Sequence, residues 1–137
     1  MIRTIEVVAA VIEYQGKILA FRRGPAKYDY VSRKFEFPGG KVEVGESLDK
    51  ALERELLEEL NLKIRIHNLI DVVEYEYPDF QIKMHCFLVH IDSYDGTLKD
   101  HIESAHVSLD EACFLDWIAA DKPIIDVLKK KYRHVFS

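Results

Sequence analysis

An α/β domain is predicted, and three stretches predict it. Residues 5–12 form a nearly unbroken apolar, β-branched run, as expected of a strand covered on both faces. Residues 80–89 alternate, with Phe80, Ile82, Met84, Cys86 and Leu88 on one side and Gln81, Lys83, His85, Phe87 and Val89 on the other. Between them Leu48, Leu52, Leu56 and Leu60 recur at helical spacing and form one apolar stripe.

A chain of 137 residues suits one domain, 1–137, which can bury about two-thirds of the surface that its unfolded form exposes. With 48% hydrophobic and 31% charged residues and no long apolar run, the expected class is a soluble, cytoplasmic protein without a membrane partner. A net charge of −5 argues against a duplex nucleic-acid partner, which calls for a basic stripe. The basic run Lys129-Lys130-Lys131 suits the end of a helix instead. Cys86 and Cys113 lack metal-ligand spacing and read as buried free thiols.

In chain order, Tyr14-Gln15-Gly16-Lys17 turns the first strand into a second at residues 18–21, a hairpin that ends on Arg22 and Arg23. Residues 24–34 are polar with Gly and Pro near the start and read as a loop. Its Tyr28 and Tyr30 are candidates to stack on a base or simply to stand exposed. Ser47 caps the helix, with Asp49 in its first turn. Beyond it, residues 63–66 alternate and residues 71–77 run extended into a turn at Pro78-Asp79. Residues 96–98 start another extended piece, and residues 103–108 lead to a strand. Asp110 is the expected cap of a short helix at residues 111–114. Pro123 opens a final amphipathic helix carrying Ile124, Ile125, Leu128 and Tyr132.

The helix at residues 48–60 poses the chemical question. Glu55, Glu58 and Glu59 stand three and four residues apart, and each like-charge pair costs a few tenths of a kcal/mol, about 0.2–0.5, that Lys50 and Arg54 offset only in part. Either the carboxylates form a solvated face or they take a hard divalent cation, which accepts carboxylate oxygens and keeps positions for water and phosphate.

The spacing of the whole stretch resembles the Nudix box, G-x5-E-x7-R-E-U-x-E-E-x-G-U, with Gly40, Glu46, Arg54, Glu55, Leu56, Glu58, Glu59 and Leu62 in register. Only the late glycine departs. Asn61 replaces it, and Asn is the next most tolerant residue of the left-handed conformation that ends a helix. The lead-in Phe35-Glu36-Phe37-Pro38-Gly39-Gly40-Lys41 is similar to the MutT-like branch.

The resemblance implies a mixed β-sheet between helices, an α/β/α sandwich, and hydrolysis of a nucleoside triphosphate to monophosphate and pyrophosphate. Mg²⁺, or Mn²⁺, would be held by Glu55, Glu58, Glu59 and the Gly39 carbonyl. The ion would activate water and stabilise the leaving pyrophosphate. Arg54 would orient Glu55, Glu46 would support loop and helix, and Glu55 or Glu103 would take the water's proton. Substrate contacts would fall to Arg23 and Lys41 on phosphate, to Tyr77 and Asp121 at the base, and to Phe37. The competing reading of Tyr77 is packing, and that of Asp121 is a helix cap. Asp121 resembles the branch of CTP pyrophosphohydrolases, acting on cytidine or oxidised deoxynucleotides. Alternatives are hydrolysis of ADP-ribose or dinucleoside polyphosphates, or nucleotide sensing without catalysis. The expected assembly is a monomer or homodimer.

Overall fold

The computed structural model describes residues 3–136. Strand β1 (Thr4–Tyr14) turns at Gln15-Gly16, both at positive φ, into β2 (Lys17–Arg23). Short β3 (Phe35–Glu36) and β4 (Gly39–Lys41) precede α1 (Leu48–Leu60), β5 (Arg65–Glu76) and β6 (Gln81–His90). The chain ends with β7 (His101–Val107), α2 (Leu109–Ala112), a 3₁₀ turn at Ala119–Asp121 and α3 (Lys122–Lys131).

The sheet is mixed. β1 runs parallel to β6 along one edge, with Val8 opposite His85, while the other strand pairs are antiparallel. β5 closes the far edge beside β6, and β7 lies on the outer side of β2. β1 and β2 pair only from Ile12–Leu19 to Tyr14–Lys17 and then part. Residues 35–41 fill the fork, with β3 on β2 and β4 on β1, and the Pro38 carbonyl accepts the Ala10 N–H at 2.9 Å. This fork positions the site.

Helices cover both faces, as the expected α/β/α sandwich requires. On one face Leu52, Leu56 and Leu60 of α1 pack with Val8, Ala10, Ile12, Leu19, Phe21, Phe87 and Val89. On the other, Ala9, Val11, Ile18, Cys86 and Leu88 meet Leu109, Ile124 and Leu128 of α2 and α3. The alternation of residues 80–89 thus divides two real cores. Leu52, Leu56 and Leu60 are fully buried, and each contributes roughly 1.5–3 kcal/mol, several times the repulsion between neighbouring carboxylates of the same helix. Packing therefore carries α1 despite its charge.

The ends of α1 form as its sequence predicts. Ser47 accepts the Lys50 N–H at 3.3 Å, and Asn61 takes φ 53° with its own N–H on the Leu57 carbonyl. Asn61 is further tied by its side-chain amide, which donates to Asp95 at 2.9 Å. Cys86 and Cys113 are free, the first buried and the second half-buried.

Three local expectations change. The two extended pieces expected at residues 63–66 and 71–77 are one edge strand, β5, which runs from Arg65 to Glu76, leaves residues 63, 64 and 77 outside it, and absorbs register shifts between Ile66 and Asn68 and between Leu69 and Asp71. Residues 96–98 form no strand: Gly96 turns at φ 88°, Asp95 accepts the Thr97 N–H, and Tyr94 donates to the Thr97 carbonyl. The cap of α2 is Ser108 rather than Asp110, because Ser108 and Glu111 bond each other's backbone N–H, leaving Asp110 to pair with Arg133.

Candidate active site

The fork between β1 and β2 opens into a cleft of about 480 Å³. Arg23 from the end of β2, Glu36 and Phe37 from the fork, Gly39 and Gly40 from β4, Glu59 from α1, Tyr77 and the 3₁₀-turn residue Asp121 all line it. Sequence-distant residues meet here because β1 and β2 part and chain segments from both faces reach the gap.

Gly40 lets α1 approach. A Cβ there would stand 2.6 Å from both carboxylate oxygens of Glu55, so any side chain would displace that carboxylate. At Gly39 the same atom would strike the Val8 carbonyl. The glycine pair is a requirement of close packing between β4, β1 and α1.

Glu55 and Glu59, one turn apart, face this approach. Burial and then the charge of Glu55, which also bonds Glu59, push the Glu59 carboxyl up to about 8. Glu59 is therefore the member of the pair that holds its proton the more firmly. Behind them Arg54 donates to Glu46 through Nε at 2.7 Å and Nη2 at 2.9 Å, to Glu55 at 3.0 Å and to the Lys41 carbonyl at 3.1 Å. The fork of donors on one guanidinium is what lets a single side chain tie helix, loop and strand. Arg54 and the Glu43 N–H hold the Glu46 carboxyl down to about 2.

Asp121 is buried at 1% exposure. Its Oδ2 accepts the Phe37 N–H at 2.9 Å, whereas its Oδ1 is buried without a hydrogen-bond partner. Burial, with Glu36 adding, pushes this carboxyl well above the usual range. It stands at the N-cap position of α3, as the cap reading expects, but makes no side-chain cap bond there. Phe37 packs on Trp117 at 4.5 Å between ring centroids. Tyr77 is buried, accepts the Ala120 N–H at 3.1 Å and stacks on Tyr30 at 5.2 Å, so it serves packing while facing the cleft. Tyr30 in turn stacks on Tyr28 and donates to Asp79 at 2.7 Å, which fastens the 24–34 loop over the β5–β6 turn.

Of the residues expected at the site, Arg23, Phe37, Gly39, Glu59, Tyr77 and Asp121 line the cleft, and Glu55, Arg54 and Glu46 stand directly behind it. Three do not. Glu58 is exposed and turned toward Arg54 at 3.5 Å, and Lys41 points to solvent while its carbonyl serves Arg54. Glu103 lies farthest from the cleft: the β2–β7 register sets it against Arg22, where it forms an exposed 3.3 Å ion pair outside the lining. Asp100 lines the cleft instead, and its charge raises Glu59. Glu36 and His101 were also missed. Glu36 accepts from Arg23 at 3.2 Å and bonds the His101 ring at 2.8 Å.

The donor set fits a hard divalent cation. A carboxyl whose ionisation is opposed by burial and by a neighbouring carboxylate gains from exchanging its proton for a metal ion, and all the donors are oxygens. Among the described residues no three acidic, His or Cys side chains stand as a ready cage. An ion that keeps several waters and takes substrate phosphates needs no such cage.

A family model described as NUDIX domain matches residues 3–134. The chain belongs to the NUDIX family. This NUDIX chain is 39% identical over 126 residues to a CTP pyrophosphohydrolase of Escherichia coli K12, covering 90% of each. It is 29% identical over 128 residues to an 8-oxo-dGTP diphosphatase of the same organism, covering 93% of this chain and 98% of that one. Among solved structures, the E. coli ORF135 protein superimposes with a TM-score of 0.76 at 36% identity, over 94% of this chain and 91% of the other. A MutT protein from Methanosarcina mazei Go1 reaches 0.81 at 24% identity, over 97% and 96%, and shares the NUDIX fold. Among the described residues no helix is long and apolar enough to cross a membrane.

Proposed function

We propose that this NUDIX hydrolase cleaves nucleoside triphosphates to monophosphate and pyrophosphate, with cytidine or oxidised deoxynucleotides as substrates, and so removes them from the nucleotide pool. The observation that carries the substrate reading is Asp121, a buried carboxyl with one oxygen committed to Phe37 and the other unpartnered in the same cleft as Glu59. Burial favours the neutral form of this carboxyl, and in that form Oδ1, which has no other partner, offers an O–H donor. Such a donor pairs with an acceptor on a base edge, N3 of cytosine or O6 of an oxidised guanine. It opposes the N3–H of uracil. The relatives named for CTP and for 8-oxo-dGTP agree with both choices.

A divalent ion, Mg²⁺ by preference, would be held by Glu55 and Glu59 with the Gly39 carbonyl and Asp100 as further ligands, and would supply charge neutralisation of the phosphates and activation of water. The remaining work falls to the chain. Arg54 fixes the Glu55 carboxylate, which takes a proton from the attacking water, and Arg23 meets the phosphate chain. Phe37 and Tyr77 enclose the base beside Asp121.

Asp121→Ala tests the base site. It should lower kcat/KM for CTP and 8-oxo-dGTP about 10²-fold, chiefly through KM, and bring the CTP-to-UTP preference toward one, since a site built to bond a base edge discriminates by that bond. An unchanged preference would remove Asp121 from base recognition.

A further inference from the structure

We propose that His101 is a positioning residue that frees Arg23 for substrate phosphate by holding Glu36 in its place. The inference rests on the triphosphate reading. Three adjacent strands supply the parts: β2 gives Arg23, β3 gives Glu36, and β7 gives His101. A register shift between Arg22 and Arg23 places Arg23 opposite His101, and a bulge of this kind re-aims the side chain that follows it. All three residues line the cleft.

Glu36 sits between two donors. Arg23 Nη1 donates to Oε1 at 3.2 Å, and the His101 ring bonds Oε2 through Nε2 at 2.8 Å. The acceptor opposite it assigns the hydrogen to Nε2. Nδ1 is buried without a hydrogen-bond partner, so one ring nitrogen alone is committed, and it is committed to Glu36.

The two donors differ in freedom. The Arg23 side chain is 41% exposed, whereas the His101 side chain is 3% exposed and lies against Phe21 at 5.5 Å between ring centroids. Arg23 can turn into the cleft; His101 cannot leave Glu36. Glu36 is a half-buried carboxylate in a cleft that must receive an anionic triphosphate, and its charge already bears on Glu59 and Asp121. Left without a partner it would both hold Arg23 back and repel the phosphates. With His101 in place its second oxygen remains bonded when Arg23 leaves.

The consequence is a dependence of Arg23 on His101. His101→Phe, which keeps a ring against Phe21, should raise KM for CTP about tenfold with kcat nearly unchanged, the pattern of lost binding shared by ground and transition states. His101→Gln, whose amide can donate to Glu36, should recover most of that loss. In an Arg23→Gln background the His101→Phe change should cost clearly less than it does with Arg23 present, leaving only the repulsion from the bared Glu36. Calorimetric binding of inorganic tripolyphosphate with Mg²⁺ should follow the same order across the variants, and it reads phosphate capture without turnover. If CTP is not cleaved by the wild type yet tripolyphosphate binding shows this dependence, the triphosphate reading fails and the role of His101 stands. Equal losses from His101→Phe with and without Arg23, or no loss with Arg23 present, would overturn it.

Discussion

Glu59→Gln is expected to lower Mg²⁺-dependent turnover about 10³-fold, the scale of removing a group that stabilises developing charge, while leaving the protein folded. It is also expected to change how stability varies with pH in the metal-free protein. The folded carboxyl is pushed up to about 8 by burial and by Glu55, from an ordinary 4.5. Between those values the folded chain holds a proton that the unfolded chain has lost. Stability is therefore full below about pH 4.5 and falls as pH rises through about 8, where Glu59 ionises beside Glu55. The loss is on the order of 2 kcal/mol once solvent screening is allowed for. Glutamine keeps the shape and cannot ionise, so the Tm of the variant in chelator should stay flatter across that window and exceed that of the wild type at its upper end. Thermal melts in chelator, paired with Mg²⁺ titrations of activity, measure both effects. A variant with normal turnover would remove Glu59 from the metal site.

The second large effect belongs to Arg54→Leu. The guanidinium is 24% exposed and joins Glu46, Glu55 and the Lys41 carbonyl, so leucine would leave two poorly solvated carboxylates without their cation. Breaking such a pair from one side costs more than the pair contributes, here about 2–3 kcal/mol. Activity should fall about 10²-fold, because Glu55 loses the bond that orients it. Arg54→Lys restores the charge without the fork and should recover stability more than activity. Urea melts and turnover of the two variants separate these contributions; equal recovery of both by lysine would show that charge alone, not the geometry of the guanidinium, is what Glu55 needs.

These expectations lean on parts of the chain that differ in how far sequence reveals them. Local rules sufficed for α1. Ser47, the leucine stripe and Asn61 each declare a cap, a face and an end within a few residues, and each forms as read. The two-sided alternation of residues 80–89 likewise announced two cores. What could not be read locally was register. Whether Glu103 or Asp100 faces the cleft depends on how β7 pairs with β2, and that pairing turns on a shift beside Arg23. Glu36 was visible in the lead-in to the glycines, but its partners lie 13 and 65 residues away. Asp121 shows the same limit from another side. Its place at the N-cap of α3 is legible locally, whereas the bond from the Phe37 N–H, 84 residues away, is not.

The measurement that bears most directly on the whole account is identification of the products formed from CTP with Mg²⁺, followed by ³¹P resonance. CMP and pyrophosphate are predicted, from attack that leaves the two outer phosphates joined. CDP and orthophosphate, or cleavage of ADP-ribose with no triphosphate consumed, would contradict it.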